Sequence, residues 1–218
     1  MTFQEIAKNE TIRAYIRKAD ESLISLGYTE HSFSHVTHVA GDVRYILETL
    51  EYDAHTVEIA QIAGYLHDIG NVVNRIDHAQ SGAVMAFRIL DKMGADAEDI
   101  ATIVTAIGNH DEKTAFPVNP IAAALILADK CDVRDTRVRN TDHITFDIHD
   151  RVNYSVKQSK LLINVEKKEI ELRLRIDTSI CAVMDYFEIF LNRMILCKKA
   201  AEKLELKFIL RINGQKLM

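Results

Sequence analysis

The sequence predicts a mainly α-helical fold, in which a bundle of five to six helices carries a small C-terminal ββαβ subdomain. The 218 residues include only 2 prolines and 8 glycines, whereas average usage of about 5% and 7% would give roughly 11 and 15, so few helices are interrupted. Apolar residues recur at helical spacing up to about residue 139 and alternate with polar ones only from residue 161 onward. We therefore expect a helical domain over residues 1–150 and the subdomain over residues 151–218, packed on it.

The first helices follow apolar stripes that end at local stop signals. Residues 2–26 predict one or two helices, which Gly27 ends. Residues 32–50 predict the next helix, with apolar side chains at the i, i+3, i+4, i+7 positions. Asp53 begins a helix over residues 54–67 that is apolar nearly all round. Such a helix is typical of the middle of a bundle.

Three further helices complete the predicted bundle. Asp77 begins the fourth, which Gly94 ends, and Asp96 begins the fifth. Asn119 and Pro120 suit the N-cap and first position of the sixth, which opens with an unbroken apolar run. The short sequence distances between these helices predict antiparallel neighbours.

The C-terminal third changes its periodicity. Residues 140–159 show no clear period and predict a connection. Residues 161–165 and 170–176 alternate around a turn, which indicates a β-hairpin, and residues 206–212 alternate again. Between them, residues 179–204 predict a long helix with apolar residues on more than one face. A homodimer interface would explain those faces, and packing against the bundle would explain them equally well.

Composition excludes several classes of protein. The net charge of −5 and the pI near 6.0 argue against a dedicated nucleic-acid binder, which needs a basic face. No apolar run approaches the roughly 18 residues of a membrane span. Cys131, Cys181 and Cys197 lack CxxC spacing and cannot all pair, which favours a reducing compartment. We expect a cytoplasmic protein that does not associate with membranes.

Functional candidates are polar residues at the ends of apolar helices. His67 and Asp68 end the most apolar helix, Asp129 ends the run AALILAD, and His35 adjoins a core stripe. A buried polar group costs about 1–3 kcal/mol unless something satisfies it, and a buried carboxylate costs more. Taken singly, two of the four have a structural explanation, since Asp129 could pair with a nearby cation, Lys130 or Arg134, and His35 could be a hydrogen-bonded core residue.

Taken together, these four residues point to a metal. Two imidazoles and two carboxylates suit Mn, Fe, Co, Ni, Zn or Mg with positions left for water, and one ion would satisfy all four groups. Their order, His35, then LHDIGN with His67 and Asp68, then LADK with Asp129, resembles the HD superfamily of metal-dependent phosphohydrolases in its HDIG version, over roughly residues 29–139.

The resemblance implies an all-helical HD-domain core that holds a divalent metal between helices and hydrolyses phosphomonoesters or phosphodiesters, often of nucleotides. It assigns the metal-ligand role to His35, His67, Asp68 and Asp129. Asn71 stands where many HDIG proteins have lysine, which leaves the phosphate-contacting cation open.

Two more histidines are similar to the additional ligands of dinuclear HD proteins such as the HD-GYP phosphodiesterases. These are His78 at the start of the fourth helix and His110 after the fifth, and the resemblance implies that Asp68 bridges two ions. The GYP motif is absent, which removes a cyclic-di-GMP assignment, and His110-Asp111 replaces a His-His pair, which argues against a third ion. The alternative for His78 is a surface position in the first turn of its helix, and the alternative for His110 is a helix C-terminal cap.

Four residues are candidates for substrate binding. His31 and His38 share the stripe of His35, at i−4 and i+3, and Lys130 and Arg134 follow the LADK aspartate closely enough to meet a phosphate. Solvated or capping positions explain the two histidines equally well, and a solvated helix face is the alternative for Arg134. No role is predicted for three other histidines, His55, His143 and His149, the last in a His-Asp dipeptide expected in a solvated loop.

We therefore expect a metal-dependent phosphohydrolase with one or two divalent ions that acts on a small phosphorylated, nucleotide-like substrate. Because a metal lowers the pKa of bound water from 15.7 to about 7, a metal-bound hydroxide would attack phosphorus, with Asp68 as the catalytic residue that positions it. Two alternatives remain: a di-iron HD-domain oxygenase that uses the same six ligand positions, and a non-catalytic, metal-stabilised domain that senses nucleotides.

Overall fold

The computed structural model describes residues 1–140 and 147–218 and consists of a helical bundle followed by a four-stranded sheet. The helices are α1 (Phe3–Lys8), α2 (Glu10–Ser25), α3 (Phe33–Thr49), α4 (Ala54–Leu66), α5 (His78–Lys92), α6 (Ala97–Gly108), α7 (Pro120–Cys131), α8 (Ile148–Ser155) and α9 (Val183–Lys203). The strands are β1 (Val156–Asn164), β2 (Glu169–Ile176), β3 (Lys207–Ile212) and β4 (Gln215–Lys216), and two short 3-10 helices span Ile69–Val72 and Asp135–Arg137. His143 lies outside the described residues.

The predicted helix starts are confirmed at three caps. The side chains of Asp53, Asp96 and Asn119 accept hydrogen bonds from backbone N–H groups in the first turns of α4, α6 and α7, which satisfies donors that a helix leaves unpaired. The N-terminal segment divides at Asn9, whose side chain caps α2. Seven helices therefore precede residue 139, rather than five or six.

The bundle centres on α4 and α7, which are buried nearly all round. Helix α4 lies close to α3 at Gly64, where an added Cβ would come within 3.1 Å of the Cα of Ala40. The segment that contains α3 to α7 also has its two ends, at Glu30 and Arg137, in contact with each other. The backbone N–H of Glu30 donates to the carbonyl of Arg137 at 2.8 Å, and the Arg137 Nε donates back to the Glu30 carbonyl at 2.9 Å.

The predicted connection over residues 140–159 is wrong in the part that the structure describes. Asp147 caps α8 through the N–H of Asp150, and β1 begins at Val156. Helix α8 has eight residues and no strong apolar period of its own, so packing of Val152, which is fully buried, stabilises it. The predicted domain boundary at residue 150 falls inside α8, and the division into two domains stays a prediction.

The C-terminal sheet has the order β1-β2-β3-β4. Strands β1 and β2 form the predicted antiparallel hairpin, β2 and β3 pair in parallel across α9, and β4 adds a short antiparallel edge that the sequence pattern did not predict. Ile170, Leu172 and Leu174 are buried at alternate positions of β2, as expected for a sheet with one covered face.

Helix α9 packs against both the sheet and the bundle. Phe190 and Met194 are buried, and the Cys197 sulfur lies 4.0 Å from the Cys131 sulfur at the end of α7. The three cysteines are free and buried. The outer face of α9 keeps apolar residues exposed, namely Met184, Leu191 and Ile195. Within the described ranges, no helix combines the length and apolar character needed to cross a bilayer.

Candidate metal centre

Six predicted ligands from five helices or helix ends lie together in the bundle. His35 is in the first turn of α3, His67 and Asp68 follow α4, and His78 begins α5. The other two are His110, just after α6, and Asp129, in the last turn of α7. Each of the six residues is at most 8% exposed. These helix ends therefore converge on one polar site inside an apolar bundle.

The carboxylate of Asp68 faces imidazoles with both oxygens. Its Oδ2 lies 3.3 Å from the Nε2 of His67 and 3.6 Å from the Nε2 of His35. Its Oδ1 lies 3.4 Å from the Nε2 of His78, and that Nε2 is 3.2 Å from the Nε2 of His110. The two oxygens thus face different histidines, Oδ2 facing His35 and His67 and Oδ1 facing His78.

Asp129 divides its oxygens between a cation and the histidines. Its Oδ2 pairs with the Lys130 Nζ at 2.7 Å, which confirms the structural alternative for this residue. Its Oδ1 nevertheless lies 3.4 Å from the Nε2 of His35 and 3.8 Å from that of His67. Burial alone would raise the pKa of Asp129, but Lys130 and the neighbouring imidazoles of His35 and His67 outweigh it and hold the pKa well below its usual range.

A shared hydrogen-bonding pattern orients the four histidines. In each ring the Nδ1 lies within hydrogen-bond distance of an oxygen that can only accept, so Nδ1 carries the proton and a neutral ring keeps its Nε2 lone pair free. These bonds are His35 to Asp132 Oδ2 (2.7 Å), His67 to the Gly64 carbonyl (2.8 Å), His78 to the Arg75 carbonyl (3.1 Å) and His110 to the Ile107 carbonyl (2.6 Å). Metal-ligating histidines are commonly fixed in this way.

Orphaned polar atoms test whether these residues fit a metal. In the part of the chain that the structure describes, the buried Nε2 of His35, Nε2 of His67 and Oδ2 of Asp68 have no hydrogen-bond partner. Leaving such groups unsatisfied is costly. Ligand atoms of two triads, His35–His67–Asp129 and His67–Asp68–His110, lie within 4.8 Å of one another. The donor set and its unsatisfied atoms fit a divalent cation.

The pKa directions agree with a cation site. Burial holds the pKa of His110 well below its usual value, and it also lowers that of His78. Burial would raise the pKa of Asp68, but His67 and other imidazoles outweigh it and hold that pKa well below normal. His67 is the exception: burial lowers its pKa, but Asp68 and Asp129 together raise it. A proton at His67 takes the place that a metal ion would occupy beside two carboxylates.

The site opens into a cavity of about 550 Å³. Asp68, His78 and Asp129 line its floor, together with two predicted substrate contacts, Lys130 and His31. The His31 ring centroid is 5.4 Å from that of His35. Its Nδ1 donates to the Thr29 carbonyl at 2.6 Å, so the His31 ring is oriented like those of the ligands.

The outer wall of the cavity comes from the C-terminal part of the chain. Arg193 and Phe190 of α9 line it, and so do His149 and Asp150 of α8. The expectation of a loop for His149-Asp150 is therefore wrong, because both residues lie in α8, but His149 is exposed to solvent as expected. Helix α9 thus contributes to the cavity as well as to the core.

Two predicted substrate contacts lie elsewhere. His38 and Arg134 line a separate depression on the surface of α3 and not the cavity. Arg134 Nε pairs with Asp132 Oδ1 at 2.5 Å, and His38 Nε2 lies 3.7 Å from the same oxygen. Both residues therefore surround the aspartate that orients His35, on the side away from the cavity.

Three residues at the site were not predicted from the sequence. Asp132 follows the LADK aspartate by three residues, a spacing that returns to nearly the same face of a helix and could have been noticed. Arg75, four residues after Asn71, lines the cavity with its Nη1 4.0 Å from an Asp68 oxygen. Arg193 is distant in sequence and carries no local signal.

One comparison with known proteins, the match to a family model, agrees with these motifs. The family model described as HD domain matches residues 32–137, a range that contains all six candidate ligands. Among solved structures, the chain is similar to a predicted HD superfamily hydrolase from an uncultured Thermotogales bacterium, at 26% identity and a TM-score of 0.46, over 62% of this chain and 75% of that one. No curated protein matches the chain.

Proposed function

Because residues 32–137 of this chain form an HD domain, we propose that the protein is a metal-dependent phosphohydrolase that acts on a small phosphorylated, nucleotide-like substrate. The carrying observation is the set of three buried atoms without partners, the Nε2 of His35, the Nε2 of His67 and the Oδ2 of Asp68. Folding alone gives no reason to bury these atoms unsatisfied, and a cation would satisfy all of them.

Two ions fit the donors better than one. The first would be held by His35, His67, Asp129 and the Oδ2 of Asp68, and the second by His78, His110 and the other oxygen of Asp68. Support comes from the 3.2 Å approach of the His78 and His110 Nε2 atoms, because two lone pairs at that distance repel unless a cation or a proton lies between them. The metals considered are Mn, Fe, Mg, Ni, Co and Zn.

Divalent ions in such a site lower the pKa of a bound water towards about 7 and neutralise charge on phosphoryl oxygens. The side chains of the protein would orient the water and the phosphate that react. Asp68 is the proposed catalytic residue, since its two oxygens face different histidines and would fix the nucleophilic water relative to the phosphate. Lys130 holds Asp129 in place and adds positive charge at the cavity floor. His31, which also lines the cavity, is the proposed substrate contact.

The surroundings of the site suit a small substrate. A cavity of about 550 Å³ falls within the range of roughly 300–1,000 Å³ that is usual for small-molecule sites. We also propose a cytoplasmic location, which the three free, buried cysteines support. The exposed apolar residues of α9, including Leu191 and Ile195, support a homodimer.

The test combines elemental analysis with a phosphoester panel on one metal-loaded sample. We expect one to two divalent ions per chain, and hydrolysis of a phosphomonoester or phosphodiester that stops when the metal is chelated and resumes when it is restored. Iron with substrate-dependent oxygen consumption and no hydrolysis would identify an oxygenase instead. Tight nucleotide binding without turnover across several metals would identify a sensor. Absence of bound metal would contradict the proposal altogether.

A further inference from the structure

We propose that Arg75 is the residue that binds the phosphoryl group of the substrate, and that it makes the site selective for phosphomonoesters over phosphodiesters. This inference rests on the proposed function, and it concerns a residue that lies outside the candidate metal ligands. Two observations support it. Neighbouring side chains fix the position of the Arg75 guanidinium, and some of its N–H donors have no hydrogen-bond acceptor among the described residues.

Asn71 holds the guanidinium beside the metal centre. The Asn71 side chain is fully buried, and its Nδ2 donates to Oδ1 and to the backbone carbonyl of Asp68, both at 2.9 Å. Its Oδ1 accepts a hydrogen bond from the Arg75 Nη1 at 3.2 Å. The same Nη1 lies 3.4 Å from the His78 Nε2. One corner of the guanidinium is therefore fixed at the edge of the site.

The remainder of the guanidinium is available to a ligand. Across residues 1–140 and 147–218, Nη1 is the only Arg75 nitrogen with a side-chain hydrogen bond, so Nε and Nη2 keep their donors. The side chain is 28% exposed and lines the cavity. Its guanidinium carbon lies 5.5 Å from the centre of the Tyr28 ring, which supports the plane from one side. An oriented fork with free donors is the geometry that recognises phosphate.

Other cations around the cavity are less suited to this role. Lys130 and Arg193 each pair with an acidic side chain at 2.7 Å. Arg137 is buried and donates to two backbone carbonyls. Lys113 is exposed at the rim. In the described part of the chain, Arg75 is thus the half-buried cavity cation that combines a fixed position with unused donors.

The number of oxygens on phosphorus links this residue to substrate class. A bidentate guanidinium contact uses two terminal oxygens of one phosphoryl group. A monoester has three such oxygens, which leaves one for the metal centre, whereas a diester has two, which the guanidinium and the metal would have to share. The monoester also carries the larger negative charge. Arg75 therefore stabilises a monoester more than a diester.

The test uses Arg75→Gln in the full-length, metal-loaded protein, with inorganic phosphate as the binding probe in calorimetry. We expect phosphate affinity to fall about 10- to 100-fold, the range for losing charge-assisted hydrogen bonds, with unchanged metal stoichiometry. KM for p-nitrophenyl phosphate should rise, and its kcat/KM should fall by a larger factor than that for bis(p-nitrophenyl) phosphate. Arg75→Lys should recover part of the affinity but little of the ester selectivity.

Arg88→Gln is the matched control, because Arg88 is exposed on α5 and does not line the cavity. Circular dichroism of each variant checks the fold. If the wild type hydrolyses phosphoesters and Arg75→Gln keeps both its phosphate affinity and its ester preference, this inference is wrong and the proposed function stands. If the wild type neither binds metal nor hydrolyses either ester, the proposed function fails, and the inference with it.

Discussion

The candidate metal centre and the C-terminal sheet use their buried positions in opposite ways. In β2 the buried side chains are apolar, and the charged Glu171 lies on the other face, where it pairs with Arg173 at 2.7 Å and Arg211 at 3.1 Å. In the candidate centre, the buried Nε2 of His67 and Oδ2 of Asp68 have no hydrogen-bond partner. The sheet is therefore organised for stability, whereas the centre carries a cost that a bound cation would remove.

This contrast explains which changes should affect function and which should affect folding. Each fully buried aliphatic side chain of the sheet contributes about 1.5–3 kcal/mol through burial. Each unsatisfied polar atom of the centre costs about 1–3 kcal/mol in the metal-free protein. Substitutions in the two regions should accordingly separate metal content from stability.

The largest expected effect is on activity, in Asp68→Ala. Metal content and phosphoesterase activity should both fall to background, while the helical circular dichroism spectrum stays that of the wild type, because the carboxylate serves the ligand and not the apolar core. Elemental analysis and an initial-rate assay measure this. Asp91→Ala, at an exposed position of α5, is the control. Unchanged metal stoichiometry in Asp68→Ala would contradict the assignment of Asp68 as a metal ligand.

Leu172→Ala should lower stability and leave the metal content unchanged, which is the reverse of the effect of Asp68→Ala. Leu172 is fully buried in β2, so truncation should lower the free energy of unfolding by about 2–5 kcal/mol. Metal bound per folded chain should stay at the wild-type value. Val165→Ala, in the exposed hairpin turn, should change stability by less than about 0.5 kcal/mol. Denaturant titration gives both energies, and a loss of metal from folded Leu172→Ala would show that the two regions are not separable.

Gly70→Ala tests the packing that positions His78. An added Cβ would lie 2.0 Å from the His78 carbonyl oxygen and 2.4 Å from the Gly82 nitrogen, so backbone must move and we expect a loss of about 3 kcal/mol, the upper end for overpacking. Gly41 in α3 has no atom within 4 Å of such a Cβ, and Gly41→Ala should raise stability by about 0.5–1 kcal/mol. Equal thermal stability of the two variants would contradict this packing.

Asp132→Asn should have the smallest effect of the four. The Asp132 carboxylate accepts the His35 Nδ1 proton at 2.7 Å, and loss of such an orienting partner typically weakens metal affinity about 10- to 100-fold. Competitive titration with a metal chelator measures this. Asp99→Asn removes the same kind of pair at the same 2.7 Å distance, from His55 on the surface, and should leave metal affinity unchanged. Equal affinities for the two variants would argue against an orienting role for Asp132.

Local chemistry explains how much of the fold could be predicted. Capping side chains such as Asp53 and Asn119 act on neighbouring backbone, so their effects are visible in sequence. The family resemblance and the position of Asp129 at the end of an apolar run identified residues that now lie together. Helix α8 was missed because its stability depends on contacts made after folding, and no local period reports them.

The remaining site residues depend on side-chain direction and long-range packing. Arg75 lies in the segment between a 3-10 helix and α5, where sequence spacing does not say which way a side chain points. Arg193 reaches the cavity from α9, across a large separation in sequence. His38 lies on the same face of α3 as His35, one turn further along the helix. Its side chain therefore lines another depression and not the cavity.

The reciprocal hydrogen bonds between Glu30 and Arg137 make the segment between them a closed loop of chain. The two ends of this segment lie side by side, so the parts of the chain before residue 30 and after residue 137 join it at one point. Modules with adjoining ends tolerate insertion into other chains and exchange of their appendages. The segment between residues 30 and 137, which contains all six candidate ligands, can thus be treated as one exchangeable module that the other segments join at a single point.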